Sequence, residues 1–193
     1  PCDVLATAAV RLTGLPANRI FSSGTVLDTS RLRWLLGDRL GVNTSSVHAN
    51  IIGEHGDSEF ALWSGASIGP VALSDWRDAD GSALTSDELD AIASLVKNAA
   101  YRVIEGKGAT NFAIGLSGAR IVEAILNDEN AILPVSSVLT DYHGVSGLAM
   151  SVPTLVNRTG AAKAIEVAMS PAELELFKKS AAAIANSLQQ LAP

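Results

Sequence analysis

The sequence predicts an α+β domain in which helices pack against a mixed or antiparallel sheet. Several long segments carry apolar residues at steps of three and four, which is the period of an amphipathic helix. Short apolar runs lie between them and are typical of strands. Because the sequence shows no internal repeat and no linker, residues 1–193 are assigned to one domain.

Five helices are predicted from their apolar period and from the residues at their ends. Gly41 closes the second helix, because glycine readily takes the positive φ of a helix end. Capping boxes open the third and the fifth, where Thr85 precedes Glu88 and Ser170 precedes Glu173 by three residues. In chain order the helices cover residues 3–12, 27–40, 85–103, 111–126 and 170–191.

The shorter apolar segments are predicted as strands. Two of them contain a proline, Pro134 and Pro153, and we expect edges or bulges there because proline has no backbone N–H to donate. The candidate strands cover residues 20–23, 47–53, 71–73, 132–140, 149–156 and 164–167.

Charge and cysteine content exclude several classes of protein. The chain has 14 basic and 20 acidic residues, a net charge of −6, and no basic stripe, so we expect no nucleic-acid partner. Cys2 is the only cysteine, which rules out an intrachain disulfide and fits a reducing compartment. One cysteine and three scattered histidines give no zinc spacing, so no metal site is expected. No apolar run approaches the ~20 residues of a membrane span.

His55 has the most informative surroundings of the three histidines. It lies in the segment GEHGDS, directly after an apolar run, and the flanking glycines let a ligand approach the backbone closely. Histidine is the natural proton donor and acceptor at neutral pH. From this context alone, a catalytic histidine and a solvated loop histidine are equally well supported.

Asp28 and Arg31 lie three residues apart at the start of a predicted helix and therefore share a face. An aspartate at a helix N-terminus is favoured by the helix dipole, which is sufficient reason for the pattern. Alternatively, Arg31 binds a substrate carboxylate through two hydrogen bonds while Asp28 orients an imidazolium. The residues themselves leave both interpretations open.

Two further segments come close to known motifs but do not match them. Residues 106–111 resemble a glycine-rich dinucleotide loop, yet they lie between helices and end in asparagine. Residues 115–119 resemble a nucleophile elbow, but the last position is alanine and the segment before it is predicted as helix.

Taken together, the motifs resemble those of bacterial L-lactate dehydrogenases of the lactate/malate dehydrogenase family. Residues 21–33, FSSGTVLDTSRLR, are similar to the family's G-S-G-T-x-L-D-[ST]-[AS]-R-[FL]-R motif, with Ser22 in place of the first glycine. Residues 47–58, VHANIIGEHGDS, are similar to its active-site motif, and residues 107–115 resemble the helix that lines its substrate pocket. The resemblance covers essentially the whole chain and implies the family's C-terminal substrate-binding domain.

The resemblance implies a role for each of several residues in the interconversion of pyruvate with NADH and L-lactate with NAD. His55 would exchange a proton with the substrate oxygen, and Asp28 would hold the protonated ring. The substrate-binding set would be Asp28, Thr29, Ser30, Arg31 and Thr110, with Arg31 pairing with the carboxylate and Thr110 facing the methyl group. Ser23 and Ile114 would contact the nicotinamide of NAD.

The resemblance also implies regulation and assembly. Arg33 and His48 match positions that bind fructose 1,6-bisphosphate in allosteric bacterial members, and a basic pair suits a phosphate. Alternatively, Arg33 is a plain surface residue and His48 a packed strand residue. Members of the family act in glycolysis and fermentation as cytoplasmic homotetramers, so we expect a homo-oligomer in the cytoplasm.

The chain departs from the family pattern at its start. It opens on Pro1, and the family's N-terminal NAD-binding Rossmann domain and mobile loop are absent. The motif Asn-Pro-x-Asp survives only as Pro1, Cys2 and Asp3. We therefore expect a fragment or processed product that has little or no turnover alone, because positioning and electrostatics are divided between two halves.

Three alternatives are considered. Malate dehydrogenase activity uses the same scaffold, and the lactate-type motif around His48 together with Thr110 favours lactate. A non-enzymatic oligomerisation module would use the apolar helix stripes to associate with other subunits. A hydrolase using Ser58 and His55 is the weakest, because these residues lie three apart in a loop and lack the elbow geometry.

Overall fold

Six helices surround short antiparallel strands in the computed structural model, which describes residues 2–190. The helices are α1 (Cys2–Thr13), α2 (Val26–Leu40), α3 (Ser86–Lys97), α4 (Ala99–Lys107), α5 (Phe112–Leu126) and α6 (Pro171–Gln189). The strands are β1 (Val47–His48), β2 (Ile51–Ile52), β3 (Phe60–Ala61), β4 (Ser67–Ile68), β5 (Val71–Ala72), β6 (Ala131–Leu133), β7 (Ser136–Val138), β8 (Ala149–Ser151), β9 (Thr154–Asn157) and β10 (Gly160–Ala164). The predicted α+β class is confirmed.

The helix ends are where the capping signals place them. The side chain of Thr85 accepts from the backbone N–H of Glu88 at the start of α3, and Ser170 does the same with Glu173 at α6. Gly41 ends α2 with φ of 65°. The predicted helix 85–103 is in fact two helices, because the helical conformation is interrupted at Asn98. The predicted end of the last helix at Leu191 lies outside the described residues.

The strands are shorter than predicted, because different parts of one predicted strand pair with different neighbouring strands. Prolines separate β6 from β7 and β8 from β9, as their missing N–H groups suggested. Residues 47–53 divide into β1, which pairs with β4, and β2, which pairs with β3. Residues 20–23 form no strand, since only Ser22 makes an isolated bridge, to Ser136. Of residues 164–167, only Ala164 belongs to a strand.

The strands form two three-stranded antiparallel sheets, ordered β1-β4-β5 and β10-β9-β6, and two hairpin-like pairs, β2-β3 and β7-β8. A bridge from Gly53 to Ser151 joins the end of β2 to β8. Helices α1 and α6 cover this junction, and one apolar cluster there contains Ile52, Met150 and Phe177. A second cluster joins α2 to α3 and contains Leu32, Leu36 and other fully buried residues. Within residues 2–190, no helix is long and apolar enough to span a membrane.

Candidate active site

The first turn of α2 is fixed against β2 by two buried threonines. The Thr25 hydroxyl donates to the backbone carbonyl of Ile51 at 2.6 Å. The Thr29 hydroxyl accepts from the Ile51 N–H at 2.9 Å. Both hydroxyls replace backbone partners that this short strand lacks, so the start of α2 has a defined position relative to the segment after β2.

The loop that carries His55 follows β2 directly and is held from two sides. Gly53 has φ of 99°, and a Cβ at this position would lie 2.7 Å from the Ser180 Oγ of α6, so glycine is required for both reasons. The Ser180 hydroxyl accepts from the Glu54 N–H. On the other side, Asp3 of α1 accepts the His55 N–H at 2.9 Å through Oδ2. Helices far apart in sequence therefore set the position of the His55 backbone.

Three of the predicted site residues meet at this point. The His55 Nδ1 lies 3.0 Å from the Asp28 Oδ2, and Arg31 Nη1 donates to the other oxygen, Oδ1, at 2.7 Å. Asp28 is 3% exposed. The His55 Nδ1 and the Asp28 Oδ2 are both buried and lack an aligned hydrogen bond, so their contact is an ion pair. The histidine, its carboxylate and the arginine thus form one connected group.

The carboxylates make His55 a strong base. Asp28, and then Glu59, raise the pKa of His55 to about 10 against the opposing effect of burial. The ring is therefore an imidazolium at neutral pH, with a proton on each nitrogen, and Asp28 faces the Nδ1 side of that ring. The Nε2 proton is the one available to an external acceptor.

Glu59 is a site residue that sequence reasoning missed. Its Oε2 lies 3.6 Å from the His55 Nδ1, and its side chain is 6% exposed. The spacing of four residues gave no signal, because it carries meaning only on a helix and residues 55–59 form a loop that ends where β3 begins. Burial raises the pKa of the Glu59 carboxyl.

The same three side chains have the chemistry of a metal-ligand group. One ligand atom each from Asp28, His55 and Glu59 lies within 4.8 Å of the others, an arrangement that the scattered histidines in the sequence did not suggest. The ring nitrogen that would face an ion is the one facing Asp28, so an ion would have to displace a proton from a strongly basic ring. We therefore interpret the group as a proton-binding cluster.

The other predicted substrate residues differ in accessibility. Thr29 is 2% exposed and its hydroxyl accepts the Ile51 N–H of β2, so it stabilises the position of α2 and is not accessible to a substrate. Ser30 donates to the Val26 carbonyl of its own helix at 2.9 Å. Thr110 is exposed in the turn before α5, and Ile114 is 36% exposed on α5. Ser23 is half-buried just ahead of α2.

The two predicted effector residues both lie next to residues 49–50, Arg33 through hydrogen bonds and His48 through the chain. Arg33 donates from Nε to the carbonyl of Ala49 at 2.9 Å and from Nη2 to the Asn50 side chain at 3.2 Å. Its burial lowers the pKa of the guanidinium. His48, directly before Ala49, is exposed on β1. Arg33 is thus partly used in holding the chain that presents His48.

A cavity of about 720 Å³ lies on the side of Glu59 that faces α3 and α6. Its apolar wall includes Phe60 and Trp63. The charged residues lining it are Glu59, Asp90, Lys97 and Glu173. Glu59 therefore contacts His55 and also lines this cavity, which His55 does not line.

Comparison with known proteins gives a consistent result. The family model described as lactate/malate dehydrogenase, alpha/beta C-terminal domain, matches residues 25–192. An L-lactate dehydrogenase from Bifidobacterium animalis subsp. lactis is 50% identical over 191 residues, covering 98% of this chain and 60% of the relative. One from Thermoanaerobacterium saccharolyticum is 41% identical, covering 99% and 61%.

Solved structures agree with these relatives. The minor L-lactate dehydrogenase from Enterococcus mundtii, in a ligands-bound form, superimposes with a TM-score of 0.94 at 38% identity. That match covers 100% of this chain and 61% of the other. The chain therefore spans about 60% of the length of the relatives it matches.

Proposed function

Because the chain belongs to the lactate/malate dehydrogenase family, whose C-terminal α/β domain it contains, we propose that it is the substrate-side half of an NAD-dependent L-lactate dehydrogenase. The observation that carries the proposal is the contact of His55 with Asp28, which in turn binds Arg31. A proton donor and a cation that can hold a carboxylate stand side by side, as reduction of a 2-oxo acid requires.

The proposed mechanism assigns one task to each member of this group. His55 gives its Nε2 proton to the ketone oxygen of pyruvate, and takes it back from the hydroxyl of lactate in reverse. Asp28 stabilises the protonated ring from the Nδ1 side. Arg31 uses the N–H groups not occupied by Asp28 to bind the substrate carboxylate, and its side chain is 21% exposed, so those groups can reach a ligand. Thr110, in the exposed turn before α5, faces the substrate methyl group.

The residues present fit one face of a nicotinamide. Ile114 offers exposed apolar surface on α5, and Ser23 offers a half-buried hydroxyl ahead of α2, which suits a flat ring with a polar substituent. NAD, when bound, supplies or accepts the hydride. We propose that the groups binding the rest of the dinucleotide lie outside these 193 residues, because the relatives are longer by the remaining 40%.

The proposal includes assembly and regulation. One face of α5 is apolar and exposed, with Phe112 at 76%, Leu116 at 75% and Leu126 at 76%, which supports burial against other subunits in a homotetramer. Arg33 and His48 would bind fructose 1,6-bisphosphate across such an interface. Pyruvate, NADH and fructose 1,6-bisphosphate are ligands of glycolysis and fermentation, so we propose that the protein acts in these pathways in the cytoplasm.

The test is a fusion of this chain behind the N-terminal part of the Bifidobacterium relative, assayed by NADH oxidation. We expect pyruvate turnover from the fusion, increased by fructose 1,6-bisphosphate, and little or none from the chain alone. His55→Gln should reduce turnover at least about 100-fold, because a proton donor contributes that much or more. Asp57→Asn, two residues away and exposed, is the matched control.

Two results would change the conclusion. Faster turnover of oxaloacetate than of pyruvate would make the protein a malate dehydrogenase. If the fusion binds NADH but turns over neither substrate, while the chain alone forms stable oligomers, the chain is an assembly module that associates through the exposed apolar face of α5.

A further inference from the structure

We propose that Glu59 is a positioning residue that acts through His55, taking up a proton from the neighbouring cavity when His55 gives its own proton to the substrate. This inference rests on the proposed function and adds a second proton site to it. In the reverse direction, Glu59 releases its proton to the cavity as His55 is protonated by the substrate hydroxyl.

The first argument is that His55 is the main partner of Glu59. Within residues 2–190, His55 is the only cation within 4.0 Å of the Glu59 carboxylate, and His55 is also the one side chain whose hydrogen bonding lowers the pKa of that carboxyl. The Glu59 side chain is nevertheless 6% exposed. A carboxylate with so little exposure keeps its charge more readily while an opposite charge stays close.

The second argument is the charge of the cluster. With Asp28 and Glu59 ionised and His55 protonated, Arg31 brings the sum to zero. When His55 loses its Nε2 proton, two carboxylates face one guanidinium, and a net negative charge is left on a group whose two carboxylate side chains are only 5% and 6% exposed. Protonation of Glu59 restores the sum to zero. The Nδ1 proton stays on the ring throughout, 3.0 Å from the ionised Asp28 carboxylate.

The third argument is access. Glu59 lines the 720 Å³ cavity, whereas Asp28 does not, so of the two carboxylates only Glu59 has a route for a proton that avoids the substrate side of His55. The raised pKa of the Glu59 carboxyl agrees with a group that takes up a proton readily.

The charged and titratable groups around the pair come from four other parts of the fold. Those facing His55 and Glu59 are Asp28 and Arg31 of α2, Cys2 and Asp3 of α1, Asp90 and Lys97 of α3, and Glu173 of α6. Lys97 donates to the Asp57 carbonyl and Glu173 accepts from the Ser64 N–H and Ser170, so both have partners of their own. Asp28 also contacts His55 but has Arg31 as a second partner, so Glu59 is the carboxylate lining the cavity whose nearest opposite charge is His55.

The first experiment measures coupling by NMR on this chain, without any need for turnover. Titration of the histidine rings gives the His55 midpoint, and His48 and His143 serve as internal references. Glu59→Gln should lower the His55 midpoint by more than about half a pH unit, since a charge at this distance is worth at least that much. Asp57→Asn should leave it in place. Equal midpoints in the Glu59→Gln and Asp57→Asn variants would overturn the proposal.

The reciprocal measurement uses the Glu59 carboxyl carbon. His55→Gln imitates the histidine after it has given up its charge, and the Glu59 midpoint should then rise towards neutral pH. By linkage, the rise should be similar in size to the fall seen for His55 in the first experiment. A Glu59 midpoint that stays in the ordinary acidic range when His55 is replaced would show that Glu59 takes up no proton, and would overturn the proposal even if Glu59→Gln failed to fold.

The kinetic experiment separates this inference from the proposed function. In the fusion enzyme, Glu59→Gln should move the alkaline limb of the pyruvate kcat/KM profile to lower pH by the amount measured by NMR, with KM little changed. Turnover with an unmoved alkaline limb would refute the role of Glu59 and leave the dehydrogenase assignment intact. NMR coupling in a fusion that turns over no 2-oxo acid would refute the proposed function, and with it the catalytic use of the pair.

Discussion

The pairing of His55 with Asp28 makes folding stability depend on pH. The pKa of His55 is raised from 6.5 to about 10 in the folded chain. Between these two values the folded state holds one proton more than the unfolded state, so stability falls as pH rises. The contribution is fully present below about pH 6.5 and is lost above about pH 10.

Its magnitude follows from the pKa difference and from exposure. Each pH unit in the window is worth ~1.4 kcal/mol per proton, which sets an upper limit of ~5 kcal/mol. The His55 side chain is 37% exposed, and solvent screening reduces such a contribution to about 1–2 kcal/mol. Tyr142, whose pKa is raised to about 12 by burial, affects stability only above about pH 10 and so lies outside the window.

Asp28→Asn removes the largest cause of the raised pKa while keeping the shape of the side chain. We expect the unmodified chain to lose about 1–2 kcal/mol of unfolding free energy between about pH 6.5 and about pH 9.5, and the variant to lose less than half of that. Urea unfolding followed by tryptophan fluorescence measures both. Asp38→Asn, an exposed position on the same helix, is the control. Parallel profiles for the Asp28→Asn and unmodified chains would refute the pairing as the source of the pH dependence.

Three further predictions concern the framework of the site, and urea unfolding at neutral pH checks each. Gly53→Ala should cost about 2 kcal/mol or more, because φ is 99° and the new methyl group would lie 2.7 Å from the Ser180 Oγ; a loss below about 0.5 kcal/mol would contradict the close approach. Phe177→Ala should cost about 3–5 kcal/mol, since the ring is 0% exposed in the central cluster, and a neutral effect would mean that the cluster repacks. Ser170→Ala should cost about 1 kcal/mol through loss of the capping box with Glu173, with Ser187→Ala on the same helix as the control.

The helices were predictable from local signals, whereas the strands were not. Thr85, Ser170 and Gly41 mark helix ends through contacts within three residues, and these signals act whatever surrounds the helix. Strand limits depend on which segment lies alongside. Residues 47–53 were predicted as one strand, yet β1 and β2 pair with different strands, and the choice of partner depends on segments that lie later in the chain.

The site divides in the same way. Asp28, Arg31 and His55 were predictable because a motif with known spacing carries them. Glu59 was not, because its closeness to His55 depends on the path of a loop. From the sequence, Asp3 is only the last residue of a partial motif. Its hydrogen bond with the His55 N–H forms because α1 packs beside a loop that lies 52 residues later in the chain.

That long-range anchoring has a consequence for how the His55 loop forms during synthesis. The loop of His55 is tied to a residue 52 positions before it, and the neighbouring Glu54 to one 126 positions after it. Contacts of such separation carry a large loop-closure entropy, which slows their formation. During synthesis the Glu54 N–H therefore has no Ser180 hydroxyl to bind until α6 has emerged and packed against this loop. A chain cut ahead of α6 would keep Asp28, Arg31 and His55 in sequence but would have to retain α6 by packing alone to keep this contact.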